Sequence, residues 1–402
     1  MIAACGGRSR IVGVSDCDDA RAARAVAGQL GARVFAPSDE VVIVEQKKNP
    51  RRRPRIDVRE SGTVLRFVLP LLALHPEPCR VTGQGTLRGR PNRPLIALLR
   101  RQGITISGTG PQGSIPIQLA GGVFRSGRMT IDGSMSSQFI SALMIACPRL
   151  DRDSRIVIKG RRLVSADYLL MTQQVLKRAG VRVVRESERV IRVPGGQQFK
   201  GLKKFTVPSD YGLAAFLLAA GALRPSSLTL KGYFQDDLIQ ADGHILDFLK
   251  KMNVTVKRSA SALKIRGPAR LKGGTFRLKD CPDLLPIMAV LALFAKGKTR
   301  LTDIRHARIK ESNRVTDLRR ELLKIGARVT EKENELIIDP APTYRQDAVL
   351  DSHRDHRLAM AWSVLGLKCG VRVKDIDCVS KSYPGFVDDF KALGARIQRR
   401  RR

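Results

Sequence analysis

Six times along this 402-residue chain an amphipathic helical pattern ends in a turn residue and passes into a short β-like run. The turn residues are Gly31, Gly103, Gly180, Asn253, Gly326 and Gly394, a spacing of about 73 residues. A period of that length makes the fold an array of like units, whatever each unit does. The segment Lys310 to Val329 shows the pattern clearly. Val315, Leu318, Leu322 and Ile325 share one helix face, Gly326 supplies the stop, and Ala327 to Val329 begins an extended run. Asp18 to Val34, Pro91 to Ile106, Ala166 to Val183, Ala241 to Val256 and Pro384 to Ile397 read the same way.

A second, more apolar helix recurs at similar spacing, with five copies. They open at Ser61-Gly62-Thr63, Ser136-Ser137-Gln138, Ser209-Asp210-Tyr211, Pro282-Asp283-Leu284 and Asp355-His356-Arg357. Extrapolation places a sixth copy roughly a dozen residues before Met1, so the chain is expected to begin inside its first repeat. Alternating runs such as Arg155 to Ile158 and Arg189 to Val193 add strands, giving each repeat two helices and about four strands.

Six such units exceed one core at this length, so the expected split is three plus three. The expected fold class is α/β (α+β), with domains 1–207 and 208–402 and a hinge near Val207-Pro208. Leu213 to Leu223 is almost entirely Ala, Leu, Phe and Gly, as a helix buried on all sides requires. Buried parallel helices with aligned N-termini would give each domain one electropositive end, suited to an anionic ligand.

The formal net charge is +36, from 73 Lys and Arg against 37 Asp and Glu. Such a charge fits an anionic partner or a basic coat over all solvated faces. Scarce aromatics and the spread of charge over every repeat favour the coat and argue against nucleic acid as the partner. Two basic runs stand apart, Lys47 to Arg55 and Arg399 to Arg402. A hydrophobic fraction of 43% supports real cores and excludes a disordered chain. No uncharged apolar stretch is long enough to span a bilayer. Seven dispersed cysteines without a CxxC pair read as reduced thiols in a cytosol-like compartment. Five histidines show no metal-ligand spacing, so no metal is expected.

The chemistry-bearing residues gather at helix starts. Ser136-Ser137-Gln138 offers hydroxyls and free N–H groups to a phosphate, although one serine alone would serve as an ordinary cap. Gly62 lets a ligand approach the backbone, with Arg66 on the same helix. Arg90-Pro91 sets a cation ahead of a proline-started helix. Lys310-Glu311 with Arg314 puts a carboxylate between two cations, able to pass a proton to a bound anion or merely to form an i, i+3 pair. Asp355-His356-Arg357 opens an apolar helix, with Asp355 an ordinary cap by itself, and Lys381 precedes the last helix.

Together, ESGTVLRF (Glu60 to Phe67), DGSMSSQFISAL (Asp132 to Leu143), CPDLLP (Cys281 to Pro286), IKESNR (Ile309 to Arg314), DHRLAM (Asp355 to Met360) and CVSKSYPGF (Cys378 to Phe386) resemble the 5-enolpyruvylshikimate-3-phosphate synthase family. The resemblance covers essentially the whole chain. It implies an enolpyruvyl transferase-like fold of two domains, each of three βαβαββ-type units. It implies transfer of the enolpyruvyl group of phosphoenolpyruvate to the 5-hydroxyl of shikimate 3-phosphate, releasing phosphate, in aromatic amino acid biosynthesis. No cofactor is implied, and a cytoplasmic monomer is expected. By resemblance, Ser136, Ser137, Gln138, Ser165, Tyr168, Asp283 and Lys310 would bind shikimate 3-phosphate. Gly62, Arg90, Gln138, Arg314, Arg357 and Lys381 would bind phosphoenolpyruvate. Asp283, Lys310, Glu311 and His356 would carry catalysis.

Departures accompany the match. The family's opening Lys-Ser-x-x-x-Arg segment is absent, Asn313 replaces an Asp, and His306 stands where many members have Asn. The alternatives are a UDP-sugar enolpyruvyl transferase and an inactive, truncated scaffold that binds polyanions. The first is disfavoured because Thr86 to Gly89 lacks the reactive cysteine of the sister enzymes.

Overall fold

The computed structural model describes residues 1–46, 55–75, 77–160, 163–235 and 237–398. Most of the first basic run and all of the second lie outside these described residues. Among the described residues, no helix is long and apolar enough to cross a membrane.

Six repeats follow one another. The first has a short 3-10 turn (Ile2–Cys5), β1 (Arg8–Val12), α1 (Asp18–Gln29), β2 (Ala32–Ser38) and β3 (Val41–Gln46). The second has β4 (Arg55–Asp57), α2 (Gly62–Leu72), β5 (Cys79–Thr82), α3 (Arg93–Arg101), β6 (Ile104–Thr109) and β7 (Ser114–Gly122). The third has β8 (Gly127–Asp132), α4 (Ser137–Ala146), β9 (Ser154–Lys159), α5 (Ala166–Arg178), β10 (Val184–Ser187) and β11 (Val190–Val193). The fourth has β12 (Lys203–Thr206), α6 (Tyr211–Leu223), β13 (Ser226–Lys231), α7 (His244–Lys251), β14 (Val256–Ser259) and β15 (Ala262–Gly267). The fifth has β16 (Thr275–Arg277), α8 (Leu285–Leu293), β17 (Thr299–Thr302), α9 (Arg314–Lys324), β18 (Arg328–Lys332) and β19 (Glu335–Asp339). The sixth has β20 (Ala348–Asp351), α10 (His356–Cys369), β21 (Val371–Lys374) and α11 (Phe386–Ala392).

The period is visible in the backbone. All six turn residues carry positive φ, from 66° at Asn253 to 96° at Gly103, the left-handed conformation that ends a helix and releases the chain. In the second, third and fifth repeats the sheet pairs its first two strands in parallel and adds the last two antiparallel, as in β4-β5-β7-β6. The inward-facing residues of each parallel pair come into register: Ile56 with Val81, Met129 with Ile156, Phe276 with Leu301. The first repeat reaches the same pattern by taking β12 as its parallel strand beside β1. The sheet β13-β15-β14 is left with three strands, and β20 pairs with β21 alone. No strand follows Gly394 among the described residues, so the sixth helix-turn-strand phrase lacks its strand.

Residue contacts divide the chain into two compact units. One is Met1–Pro208 with Asp236–Gln240, the other Ser209–Gln235 with Ala241–Arg402. The short segment joins the first unit because Arg178 donates to the Asp237 carboxylate at 3.1 Å and the Ile239 amide to Gln174 at 2.9 Å. In the first unit the core surrounds α2 and α4, which pack on each other, and includes Ala3, Ala4 and Cys5 of the opening turn. In the second unit it surrounds α6, α8 and α10. All nine residues of α8 are buried, as its unbroken apolar sequence demands.

Candidate active site

In the first unit the starts of α2 and α4 lie side by side. Ser61 and Ser136 cap them, accepting from the amides of Val64 and Gln138, each at 3.3 Å. Gln138 bridges the two helices: its Nε2 donates to Thr63 Oγ1 at 2.8 Å and its Oε1 accepts from Arg66 Nη1 at 2.6 Å. The same Arg66 nitrogen donates to Ser136 Oγ at 3.3 Å, and its guanidinium lies 5.0 Å from the centre of the Phe139 ring. Arg66 is buried, and in that low-dielectric setting its charge adds to the positive helix ends. Arg90 is buried too, and its guanidinium lies directly over Gly62: a methyl added there would fall 2.8 Å from Cζ. Only glycine leaves room for that stack.

Ser137, the first residue of α4, is buried. Ser165 is buried in a left-handed conformation, φ 56°, immediately before α5, and half-buried Tyr168 sits on the first turn of that helix. The two helices are tied by the hydroxyl pair Ser141–Thr172 at 2.8 Å.

In the second unit the starts of α8, α9 and α10 converge on one guanidinium. Arg314, fully buried, donates through Nε and Nη2 to the two oxygens of Asp355 at 2.7 and 3.2 Å. It also donates to Asp283 at 2.5 Å and to Glu311 at 2.9 Å. Asp283 in turn faces Lys310 at 3.4 Å and Arg357 at 3.3 Å. Glu311 faces Lys381 at 3.4 Å, and Arg357 donates to the Gly212 carbonyl at 3.1 Å and lies 4.0 Å from Asp242. Gly212 must lack a side chain, since a Cβ would meet Asp242, Arg357 and Asp210 within 3.0 Å.

Burial and charge work against each other in this cluster. Burial would raise the Asp283 pKa, but Arg357, Lys310 and Arg314 outweigh it and hold the carboxylate well below its usual range. Asp355 is likewise held down, mainly by Arg314 against the effect of burial. Asp242 goes the other way, pushed up to about 7 by burial that Arg357 only partly offsets, with Asp283 adding repulsion. His356 is pushed down to about 4 by burial despite Asp355 beside it, so the ring is neutral at pH 7. His306 is pushed down to about 4 by burial and by Lys310. Among the described residues His356 Nδ1 and His306 Nε2 are buried without a hydrogen-bond partner.

Residues 1–390 match the family EPSP synthase (3-phosphoshikimate 1-carboxyvinyltransferase). The chain belongs to that family. It is 35% identical over 369 residues to the 3-phosphoshikimate 1-carboxyvinyltransferase of Methanosphaera stadtmanae, covering 90% of this chain and 85% of that protein. With the enzyme of the same name from Nitrosopumilus maritimus it shares 34% over 397 residues, 98% of this chain and 92% of the other. Among solved structures, the EPSP synthase of Acinetobacter baumannii superposes with a TM-score of 0.76 at 24% identity, covering 97% and 91% of the two chains. The enolpyruvyl transferase NikO of Streptomyces tendae gives 0.75 at 19% identity, covering 99% and 92%. Both structures share this EPSP synthase-family chain's fold.

Within the first unit Gly62, Arg90, Ser136 and Gln138 cluster at two helix starts. Within the second, Asp283, Lys310, Glu311, Arg314, Arg357 and Lys381 form one ionic network with His356 at its edge. The sequence placed Lys310 and Glu311 on the helix itself. They lie before it, between a 3-10 turn (Arg305–Ile309) and α9, because Asn313 caps α9 by accepting from the Thr316 amide at 3.3 Å. Asparagine here does a cap's work as well as the family's aspartate would. The network also contains members that sequence reasoning passed over. Asp355 was readable only as a cap, accepting from the Arg357 amide at 2.9 Å; its second role faces Arg314, 41 positions away. Asp242 lies inside an unremarkable 3-10 turn, Ala241–Gly243. In the first unit, Arg66 carried no signal beyond sharing a helix with Gly62.

Proposed function

We propose that this chain transfers the enolpyruvyl group of phosphoenolpyruvate to the 5-hydroxyl of shikimate 3-phosphate, releasing phosphate. The observation that carries the reading is the family match over residues 1–390, with every motif residue at a helix start or the loop leading to one. Both substrates are small phosphorylated acids, and helix starts furnished with buried arginines are the chemistry such anions require.

In this reading Ser136, Ser137, Gln138, Ser165 and Tyr168 hold shikimate 3-phosphate, with Lys310 and Asp283 at its ring. Gly62, Arg90, Gln138, Arg314, Arg357 and Lys381 hold phosphoenolpyruvate. The 5-hydroxyl oxygen bonds to C2 of phosphoenolpyruvate while a proton is added at C3, giving a tetrahedral intermediate. Loss of a C3 proton and cleavage of the C2–O bond to phosphate then yield the product. Asp283, kept ionised by three cations, accepts a hydrogen bond from the attacking hydroxyl and takes part in its proton transfer. Glu311 moves the proton at C3, and neutral His356 lies beside it as a donor or acceptor without charge of its own. The enzyme works as a cytoplasmic monomer in this reading, with no disulfide among the described residues.

The test is phosphate release with both substrates, each omitted in turn, compared for the native chain and for Glu311→Gln. Release that needs both substrates and falls by about 10²-fold or more in the variant supports the assignment. Release from phosphoenolpyruvate with a UDP-sugar acceptor instead, or no release, overturns it.

A further inference from the structure

Arg90 reaches its place over Gly62 from a loop, and a loop does not by itself hold a guanidinium still. The loop is fixed at both ends. On the far side Asn92, wholly buried, donates Nδ2 to the Arg90 carbonyl at 3.0 Å and to the Gly113 carbonyl at 3.3 Å. On the near side the anchor is Glu60. Its Oε1 accepts from both the amide and the hydroxyl of Thr86, each at 2.7 Å. Thr86 lies in the 3-10 turn Gly85–Gly89, which ends at Arg90 with the Arg90 amide donating to the Leu87 carbonyl at 3.1 Å. Gly85 has φ 59°, and the place of its missing Cβ is occupied by the Glu60 carboxylate, whose Oε2 would lie 2.6 Å from it. A second tie runs parallel, from the Gln84 amide to the Arg59 carbonyl at 2.7 Å.

Glu60 stands two residues before Gly62, just ahead of the start of α2. One helix start thus carries both the floor under the Arg90 guanidinium and the clamp on the turn that delivers it. A carboxylate there is also favoured by the helix dipole. We propose that Glu60 is the positioning residue for Arg90, registering the 85–89 turn on the start of α2 and so setting the guanidinium over Gly62. The consequence for phosphoenolpyruvate rests on the reading that Arg90 holds it.

Phenylglyoxal labelling of Arg90 in the free protein, read by peptide mass spectrometry, tests the positioning without any substrate. In Glu60→Ala the labelling is expected to rise several-fold, and in Glu60→Gln, which keeps an acceptor for Thr86, to stay at the native level. In steady-state kinetics Glu60→Ala is expected to raise the KM for phosphoenolpyruvate by about tenfold or more, leaving kcat and the KM for shikimate 3-phosphate within about twofold. The effect should vanish in an Arg90→Ala background. Native labelling in Glu60→Ala, failure of Glu60→Gln to restore it, or a full additional loss in the Arg90→Ala background overturns the proposal. Raised labelling with an unchanged phosphoenolpyruvate KM upholds Glu60 as the positioner and instead overturns the role given to Arg90.

Discussion

At the scale of single residues, Arg314 decides most. Its guanidinium serves three carboxylates at once, a geometry that the planar fork of arginine allows and a lysine ammonium does not. Arg314→Ala would leave Asp283, Glu311 and Asp355 crowded without their common cation. The expected loss is about 3–5 kcal/mol of unfolding free energy, measured by urea titration. Arg314→Lys should recover only part of it. The buried imidazoles give a pH dependence with a definite sign. His306 and His356 fall from 6.5 to about 4 on folding, so between those values the unfolded chain binds more protons than the native one. Stability is therefore lost as pH falls through this window, by roughly 3 kcal/mol for each ring. Asp242, raised to about 7, opposes them, since its ionisation on the way up from 3.8 costs the folded state. Two rings outweigh one carboxyl, so denaturant titrations at several pH values should show a net loss towards pH 4. In His306→Asn/His356→Asn the slope over that window should reverse. Such residues were half legible in advance. The KESNR and DHR motifs announced their cations, but the pairing of Arg314 with Asp355 joins different repeats and leaves no periodic trace.

At the scale of elements, the sequence spoke through its turns. The stops of the six amphipathic helices were readable because a left-handed residue is needed there, and Gly or Asn meets that need. Starts were harder: counting back from Gly326 carried α9 over Lys310 and Glu311, and only the cap at Asn313 shows where the helix begins. The extended run after Gly394 was legible as a pattern, but β20 and β21 form a two-stranded sheet that it does not join. The loan of β12 to the first sheet was invisible, because strand exchange changes partners and not sequence. Burial makes elements differ in their tolerance. Leu291 of α8 is fully buried, and Leu291→Ala should cost about 2–5 kcal/mol. Leu323 of α9 is 44% exposed, and Leu323→Ala should stay within about 0.5 kcal/mol. Equal losses in thermal unfolding of the two variants would contradict the packing described.

At the scale of the whole molecule, the excess of 36 positive charges meets the sheets. Arg55 stands directly opposite Arg80, Lys204 opposite Arg10, and Arg128 opposite Arg155, which is in turn opposite Arg192. Like charges facing across strands are destabilising, and only some are relieved, as where Glu186 accepts from Arg155 at 2.7 Å and Asp153 from Arg192 at 3.1 Å. Added salt should screen these rows, so the melting temperature should rise between about 0.05 and 0.5 M sodium chloride. A fall over that range would show that attractive surface pairs prevail.

The sheet around β1 has a further consequence. Ser9, wholly buried, accepts from the Leu202 amide at 2.8 Å across 193 positions, and β12 continues the ladder to Thr206. During synthesis β1 therefore keeps an open edge until β12, some 193 positions later, has emerged from the ribosome. The first unit's sheet is completed only by closing that long loop, a non-local pairing that disfavours early formation.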